Sequence, residues 1–214
     1  MKTDALIALL SGGSPAADPH VLRRRSAMAI GWGAFGAALL MAVLLGVRPD
    51  LEAAARLPMF WIKLAFPSAL AAIAPYALLR LARPGARLGW LPAALAAPVA
   101  VVWLLAVAAA LGASPAVRSE MLFGDTWREC LVNITILSVP AFAGLMWALK
   151  DYAAPTRPAL AGGAAGLLAG ALGAAVYALH CPELAAPFIA VWYMLGMLIP
   201  ATLGALIGSR LLRW

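Results

Sequence analysis

Six stretches of this chain are long and apolar enough to cross a lipid bilayer, and nothing else in the sequence narrows the fold as much. They run roughly over Ser26 to Val47, Met59 to Leu81, Trp90 to Gly112, Cys130 to Leu149, Leu160 to Leu179 and Phe188 to Ser209. About 20 mainly apolar residues carry an α-helix across the hydrocarbon core. Lipid offers the backbone no hydrogen-bond partner, so a spanning segment is a helix or a strand of a closed barrel. None of the six runs alternates apolar and polar residues, which excludes the barrel. The expectation is all-α: an integral membrane bundle of six transmembrane helices with short loops and a cytoplasmic N-terminal helical tail. Composition agrees, with 64% of the 214 residues hydrophobic and 12% charged. A soluble domain carries about 25% charged residues and has too little interior at this size to hide so much Leu, Ala and Val.

The organisation follows from the punctuation. Residues 1–25 read as a cytoplasmic segment and residues 26–214 as the transmembrane domain. The first apolar run lies behind Arg23-Arg24-Arg25 and exceeds a signal-peptide core in length, so it reads as a spanning helix. A twin-arginine export signal at Arg24-Arg25 is argued against by the five further apolar segments. Arg83-Pro84-Gly85, Ala154-Pro155-Thr156-Arg157-Pro158 and Cys181-Pro182 are turn signals. The longest inter-helix loop, Ala113 to Glu129, has no room for a soluble domain. No internal repeat of the transporter kind is legible.

Charge sets the orientation. The net charge of +7 would suggest nucleic acid in a soluble protein, but no basic stripe interleaved with aromatics is present, so no direct nucleic-acid partner is expected. With the N-terminus inside, Lys2, Arg23, Arg24, Arg25, Arg80, Arg83, Arg87, Lys150, Arg157, Arg210 and Arg213 fall on the cytoplasmic side. Arg48, Arg56, Arg118 and Arg128 fall outside, and Lys63 lies within the second span. Positively charged loops stay cytoplasmic, so both termini are expected inside, in a bacterial inner membrane. Small-residue pairs, Gly166 with Gly170 and Gly204 with Gly208, suit close helix packing within the bundle or dimerisation, and the oligomeric state stays open. Pro67, Pro75, Pro98, Pro140 and Pro200 lie inside spans.

The residues that could carry chemistry gather on the outer side. That topology brings Cys130, at the mouth of the fourth span, and Cys181, in the loop between the fifth and sixth, to one depth facing an oxidising compartment. Two such thiols can form a disulfide or grip a soft metal; they can also be unrelated buried groups. His180, Glu129 and Glu183 adjoin them, with Asp125 near, and are suitable further ligands for a thiophilic cation. No resident cofactor is expected, only a transient heavy-metal ion. Lys63 lies about a turn from the outer interface, beside Trp61, and is expected to snorkel outward or to pair with an acid. Asn133 reads as an interhelical hydrogen bond. The eight tryptophans mostly fall near span ends, as an aromatic belt does. The two histidines, His20 and His180, lie outside the spans on opposite sides, so no haem pair exists.

The first residues have their own pattern. Thr3 or Asp4 can cap a short helix on which Leu6, Leu9 and Leu10 share a face, with Ile7 beside them. Ser11-Gly12-Gly13-Ser14-Pro15 stops it. So short a helix is marginal in water. It gains order by docking into a partner's groove or by lying on the bilayer.

Met1-Lys2-Thr3-Asp4-Ala5-Leu6-Ile7, Phe60-Trp61-x-Lys63, and His180-Cys181-Pro182-Glu183 leading to Phe188 and Trp192-Tyr193 resemble the NrsF family, six-helix inner-membrane anti-sigma factors of proteobacteria. The resemblance spans nearly the whole chain. It implies that the N-terminal segment (Thr3, Asp4, Leu6, Ile7, Leu9, Leu10) binds an extracytoplasmic-function sigma factor and holds it at the membrane. It also implies that the cysteine pair matched by Cys130 and Cys181 perceives redox or heavy-metal stress, whereupon the sigma factor is released. No enzymatic activity is implied. A transporter would need polar groups at mid-membrane, where this chain has Ala, Leu, Val and Gly. A thiol oxidoreductase would need a CxxC or a second relay pair. An intramembrane hydrolase would need a Ser/His or paired-Asp constellation within the spans.

Overall fold

A computed structural model of the chain describes residues 19–212. Helix α1 (Pro19–Leu40) runs on through a π-helical turn, Met41–Leu45. A short α2 (Leu51–Ala55) precedes α3 (Pro58–Leu81) and α4 (Leu91–Gly112). Next come α5 (Pro115–Phe123), α6 (Trp127–Tyr152), α7 (Pro158–Tyr177) and α8 (Ala186–Leu211), the last containing a second π-helical turn, Ile189–Tyr193. The described residues are helical with no strand, and six helices are long and apolar enough to cross a membrane. Prolines open several of them: Pro58, Pro115 and Pro158 stand in the first turn, where a missing N–H costs nothing.

Two details differ from the sequence reading. Helix α1 begins at Pro19 and takes in the arginine triplet that was assigned to the N-terminal segment, because Leu and Arg continue a helix well and nothing after Pro19 breaks it. The loops before α3 and α6 contain helices α2 and α5, too short and polar to register against the long apolar runs.

The buried side chains form two clusters, one toward each end of the bundle. One contains Cys130, Cys181, Tyr177, Tyr193, Phe66 and Met41, and its end is called here the thiol end. The other contains Leu22, Leu81, Leu149, Ala161 and Leu212. The helices alternate in direction, so the second end collects Arg23, Arg24, Arg25, Arg80, Arg83, Arg87, Lys150, Arg157 and Arg210. Large apolar side chains cover the outside: Trp32, Val43, Leu104 and Leu111 are each at least 70% exposed. Such a surface is stable against hydrocarbon and costly against water. Helix α4 is the most peripheral, with 11% of its most apolar window buried.

The small-residue motifs hold the bundle together internally. A Cβ on Gly162 would fall on the Gly204 carbonyl oxygen, and one on Gly204 on the Gly162 carbonyl oxygen. One on Gly166 would fall on the Pro200 carbonyl oxygen, and one on Gly208 would come within 2.9 Å of Gly162 Cα. Helices α7 and α8 thus approach backbone to backbone, which only glycine allows. Gly166→Ala is expected to destabilise the bundle by about 1–3 kcal/mol through overpacking. Gly31→Ala, in the interior of α1 with nothing within 4 Å, is expected to leave stability unchanged or raise it by up to about 1 kcal/mol. Thermal unfolding of the detergent-solubilised protein measures both, and equal melting temperatures would show that the interface yields.

Candidate functional site

The site is built on the connection between α7 and α8. At the end of α7 the Tyr177 carbonyl accepts from both His180 N (2.9 Å) and Cys181 N (3.0 Å). Pro182 then prevents the helix from continuing. The Cys181 carbonyl is left pointing into the bundle, where Lys63 Nζ donates to it at 2.6 Å. The same ammonium donates to the Glu183 carbonyl at 2.8 Å and stands 5.5 Å from the centre of the Tyr193 ring. Lys63 has no solvent exposure.

The expectation that Lys63 snorkels outward or pairs with an acid is therefore corrected. No carboxylate pairs with it among the described residues; two peptide carbonyls and an aromatic face replace its water. The cause is helix phase. Phe60, Lys63, Phe66, Pro67 and Leu70 form the buried stripe of α3, while Trp61, beside it in sequence, points outward.

Arg48 supplies a second clamp. Its Nη1 donates to the Cys181 carbonyl at 3.2 Å, and its backbone N–H donates to the Leu179 carbonyl at 3.2 Å. Its Nε and Nη2 meet the two carboxylate oxygens of Asp50, both at 2.7 Å. This fork holds the Asp50 carboxyl below the usual carboxylate range, and the hydrogen bond to Asp50 raises Arg48 above its ordinary value. His180 Nδ1 donates to the Gly46 carbonyl at 2.9 Å. Gly46 follows the π-helical turn of α1 at φ +76°, a backbone region natural to glycine.

Glu183 fastens the far side of the connection. Its Oε1 accepts from Asp125 N (2.9 Å) and Thr126 Oγ1 (3.4 Å), at the start of α6. Gly124 makes room for it, since a Cβ there would stand 2.6 Å from that carboxyl group. Trp192 Nε1 donates to the Leu122 carbonyl at 2.7 Å, and its ring lies 4.7 Å from that of Trp127. The α5–α6 corner is thereby pinned to α8.

Within this frame lie the two thiols. Cys130, in the first turn of α6, and Cys181 are both free, fully buried and members of one packed cluster. The hydroxyls of Tyr177 and Tyr193 and the ammonium of Lys63 lie within electrostatic reach of both sulfurs. Asn133 interacts with the Tyr177 hydroxyl, joining α6 to α7 as an interhelical contact. Tyr193 is fully buried, with its hydroxyl directed to the Cys181 thiol.

The wider ligand set does not converge. Among the described residues no three Cys, His, Asp or Glu side chains are grouped to hold a metal ion. His180 is turned to Gly46 and Glu183 to the α6 start, while Glu129 is exposed. Adjacency in sequence brought these residues near the thiols without aiming them there. Conversely, the sequence assigns no site role to Arg48, which it places only on the outer side, to Tyr193, which enters only through the Trp192-Tyr193 resemblance, or to Tyr177. Tyr177 lies one turn before Cys181 and Tyr193 one turn after Phe188, which is the signal that could have found them. Thr3, Asp4, Leu6, Ile7, Leu9 and Leu10 lie outside the described residues.

Chemically, the arrangement is a closed, dry pair of thiols beside a buried cation. A divalent ion that displaces two thiol protons adds no net charge to the site, so burial does not oppose it.

Residues 10–214 match the family model described as "NrsF: Negative regulator of sigma F". A protein of Azospira oryzae named "Probable anti-sigma-F factor NrsF" is 55% identical over 214 residues, with both chains covered in full. The "Anti-sigma-F factor NrsF" of Caulobacter vibrioides is 40% identical over 220 residues, again across both full chains. No solved structure matches.

Two outcomes follow from this geometry. Lys63→Met removes the side-chain donor that the Glu183 carbonyl has among the described residues, so local opening of the connection becomes more frequent. Labelling of Cys130 and Cys181 by dithiodipyridine is expected to speed up roughly ten-fold for each 1.4 kcal/mol of closure lost. An unchanged rate would show that Lys63 does not hold the connection shut. The Asp50 carboxyl has its folded-state pKa depressed, so its contribution to stability is complete above the ordinary carboxylate value, about 3.9. It is lost as pH falls through the depressed value. The wild-type protein should therefore melt above Asp50→Asn at pH 5–7, a gap that narrows as pH falls below the ordinary carboxylate value, about 3.9. A gap that persists in acid would sink the ion-pair assignment.

Proposed function

The chain belongs to the NrsF family of negative regulators of sigma F, and from that premise we propose that it is an inner-membrane anti-sigma factor for an extracytoplasmic-function sigma factor. The N-terminal segment, through the face of Leu6, Ile7, Leu9 and Leu10, holds the sigma factor. The buried pair Cys130 and Cys181 takes up a heavy-metal ion or is oxidised, and the sigma factor is let go. The positive charge collected at one end supports a cytoplasmic position for that end and for both termini. The thiols then face the periplasm, on the far side from the tail.

The observation that carries this reading is the closed thiol cluster: two free, buried cysteines in a frame joined to α1, α3 and α6. A divalent soft ion binds as a bis-thiolate with release of two protons. Oxidation instead joins the two sulfurs, with two protons and two electrons passing to the oxidant. Either event draws the first turn of α6 and the α7–α8 connection together. Moving a switch from mostly bound to mostly free takes about 5.5 kcal/mol of differential binding. Thiolate coordination supplies energies of that order and above, about 10–16 kcal/mol for structural zinc in peptides.

In membranes carrying the partner sigma factor, Cys130→Ser with Cys181→Ser is expected to retain the factor under cadmium or diamide challenge, whereas wild type releases it. Leu6→Asp with Leu9→Asp is expected to lose retention without any challenge. A double serine variant that still releases on challenge defeats the sensing role. Full retention by the aspartate variant defeats the role of the tail.

A further inference from the structure

At the end opposite the thiols, the seam between α1 and α6 carries a groove on its outer side, over a tight contact in which a Cβ on Gly144 would stand 3.1 Å from Ala29. Farther along they pack tightly: a Cβ on Gly33 would stand 2.5 Å from Ala141, and one on Gly36 would stand 3.0 Å from Pro140. Toward the arginine end they enclose a groove of about 570 Å³. Met28, Trp32, Gly144 and Trp147 are among its walls, and Arg25 and Asp151 stand on its rim. Trp32 and Trp147 are each 72% exposed, so the groove is open along its side. Trp147 Nε1 donates to Asp151 Oδ2 at 2.6 Å, and the Arg25 guanidinium lies 5.5 Å from the centre of the Tyr152 ring. The rim therefore presents one cation and one anion above an apolar, aromatic floor.

We propose that this groove is the docking site for the chain's own N-terminal segment, in competition with the sigma factor. The proposal rests on the function proposed above and says where the tail goes when it is not engaged. The described chain begins at Pro19, about 20 Å along α1 from Trp32 at 1.5 Å per residue. The eight residues from Ser11 to Asp18 can span up to about 26 Å, so the leucine face can return to the groove. The chemistry also matches. Leu6, Ile7, Leu9 and Leu10 suit the aromatic floor, and Lys2 and Asp4 complement Asp151 and Arg25.

The helices bounding the groove are those bound to the thiols at their other ends. Cys130 sits in the first turn of α6, and Gly46 and Arg48, beyond the C-terminal end of α1, contact the connection carrying Cys181. A shift of one helix against the other at the thiol end thus reaches the groove through rigid elements, pivoting where Gly33 and Gly36 meet Ala141 and Pro140.

The test is a photo-cross-link in the full-length protein, with benzoylphenylalanine replacing Trp147, in phospholipid nanodiscs. Cross-links mapping to residues 5–10 are expected in the protein alone. They should fall several-fold in the presence of saturating sigma factor. Met28→Trp, which fills the groove, should abolish them and tighten sigma-factor binding about three- to ten-fold, the factor by which self-docking lowers apparent affinity. Cross-links to lipid or to α1 alone overturn the proposal. So do cross-links to residues 5–10 that persist unchanged while the sigma factor is bound. If the protein retains no sigma factor at all, the function proposed above fails, and the cross-link without partner still decides whether the tail docks.

Discussion

The Lys63 ammonium, held by the Cys181 and Glu183 carbonyls, closes the thiol end of this bundle. Removing an ammonium from water costs several kcal/mol unless its donors are met, and here they are met by peptide carbonyls rather than by an acid. That choice has a consequence. A carboxylate partner would make a self-sufficient ion pair, indifferent to the loop around it. Carbonyl partners exist only while the α7–α8 connection keeps its present course. The buried charge therefore penalises any other course, and the two thiols stay packed and dry for as long as it holds. Arg48 draws on the same Cys181 carbonyl from the end of α1, so two helices depend on one peptide group.

This arrangement makes the connection a junction rather than a loop. His180 and Arg48 tie it to the end of α1, Lys63 to α3, and Glu183 to the start of α6. Packed helices do not deform continuously, and a local change is passed on as a discrete shift. The α7–α8 pair resists such a shift, since its glycines put backbone on backbone with no side chain to yield. The α1–α6 seam is tight as well, at Gly33, Gly36 and Gly144, and carries its groove on the outer side.

Much of this was legible in the chain. Six apolar runs specify six helices because lipid leaves the backbone no alternative, and the positive-charge pattern separates the two ends. The thiols' shared depth follows from counting spans. What could not be read was rotation about each helix axis. Lys63 beside Trp61 looks like an interfacial pair on paper; only the inward phase of Phe60 and Phe66 sends it the other way. The same limit applied to His180, Glu129 and Glu183. Their sequence neighbours are cysteines, but their side chains follow backbone directions that Gly46, Gly124 and Pro182 set. Transmembrane helices hide this phase because both their faces are apolar, so hydrophobic periodicity, which betrays the buried face of a soluble helix, is nearly silent.

The two π-helical turns lie where that missing information matters. Met41–Leu45 rotates the end of α1 so that Gly46 and Arg48 meet the connection, and Ile189–Tyr193 ends on the tyrosine that packs against the thiols. A π turn adds a residue to the helical repeat and re-aims everything after it, and it is enriched at functional positions for that reason. Both turns carry apolar side chains that would serve an ordinary α-helix as well, so they are held by tertiary contacts rather than by local preference. A change in those contacts gives each helix a second available geometry. The residues that would feel the change first are those that frame the thiols: Arg48 and the His180–Gly46 contact on one side, and Tyr193 on the other.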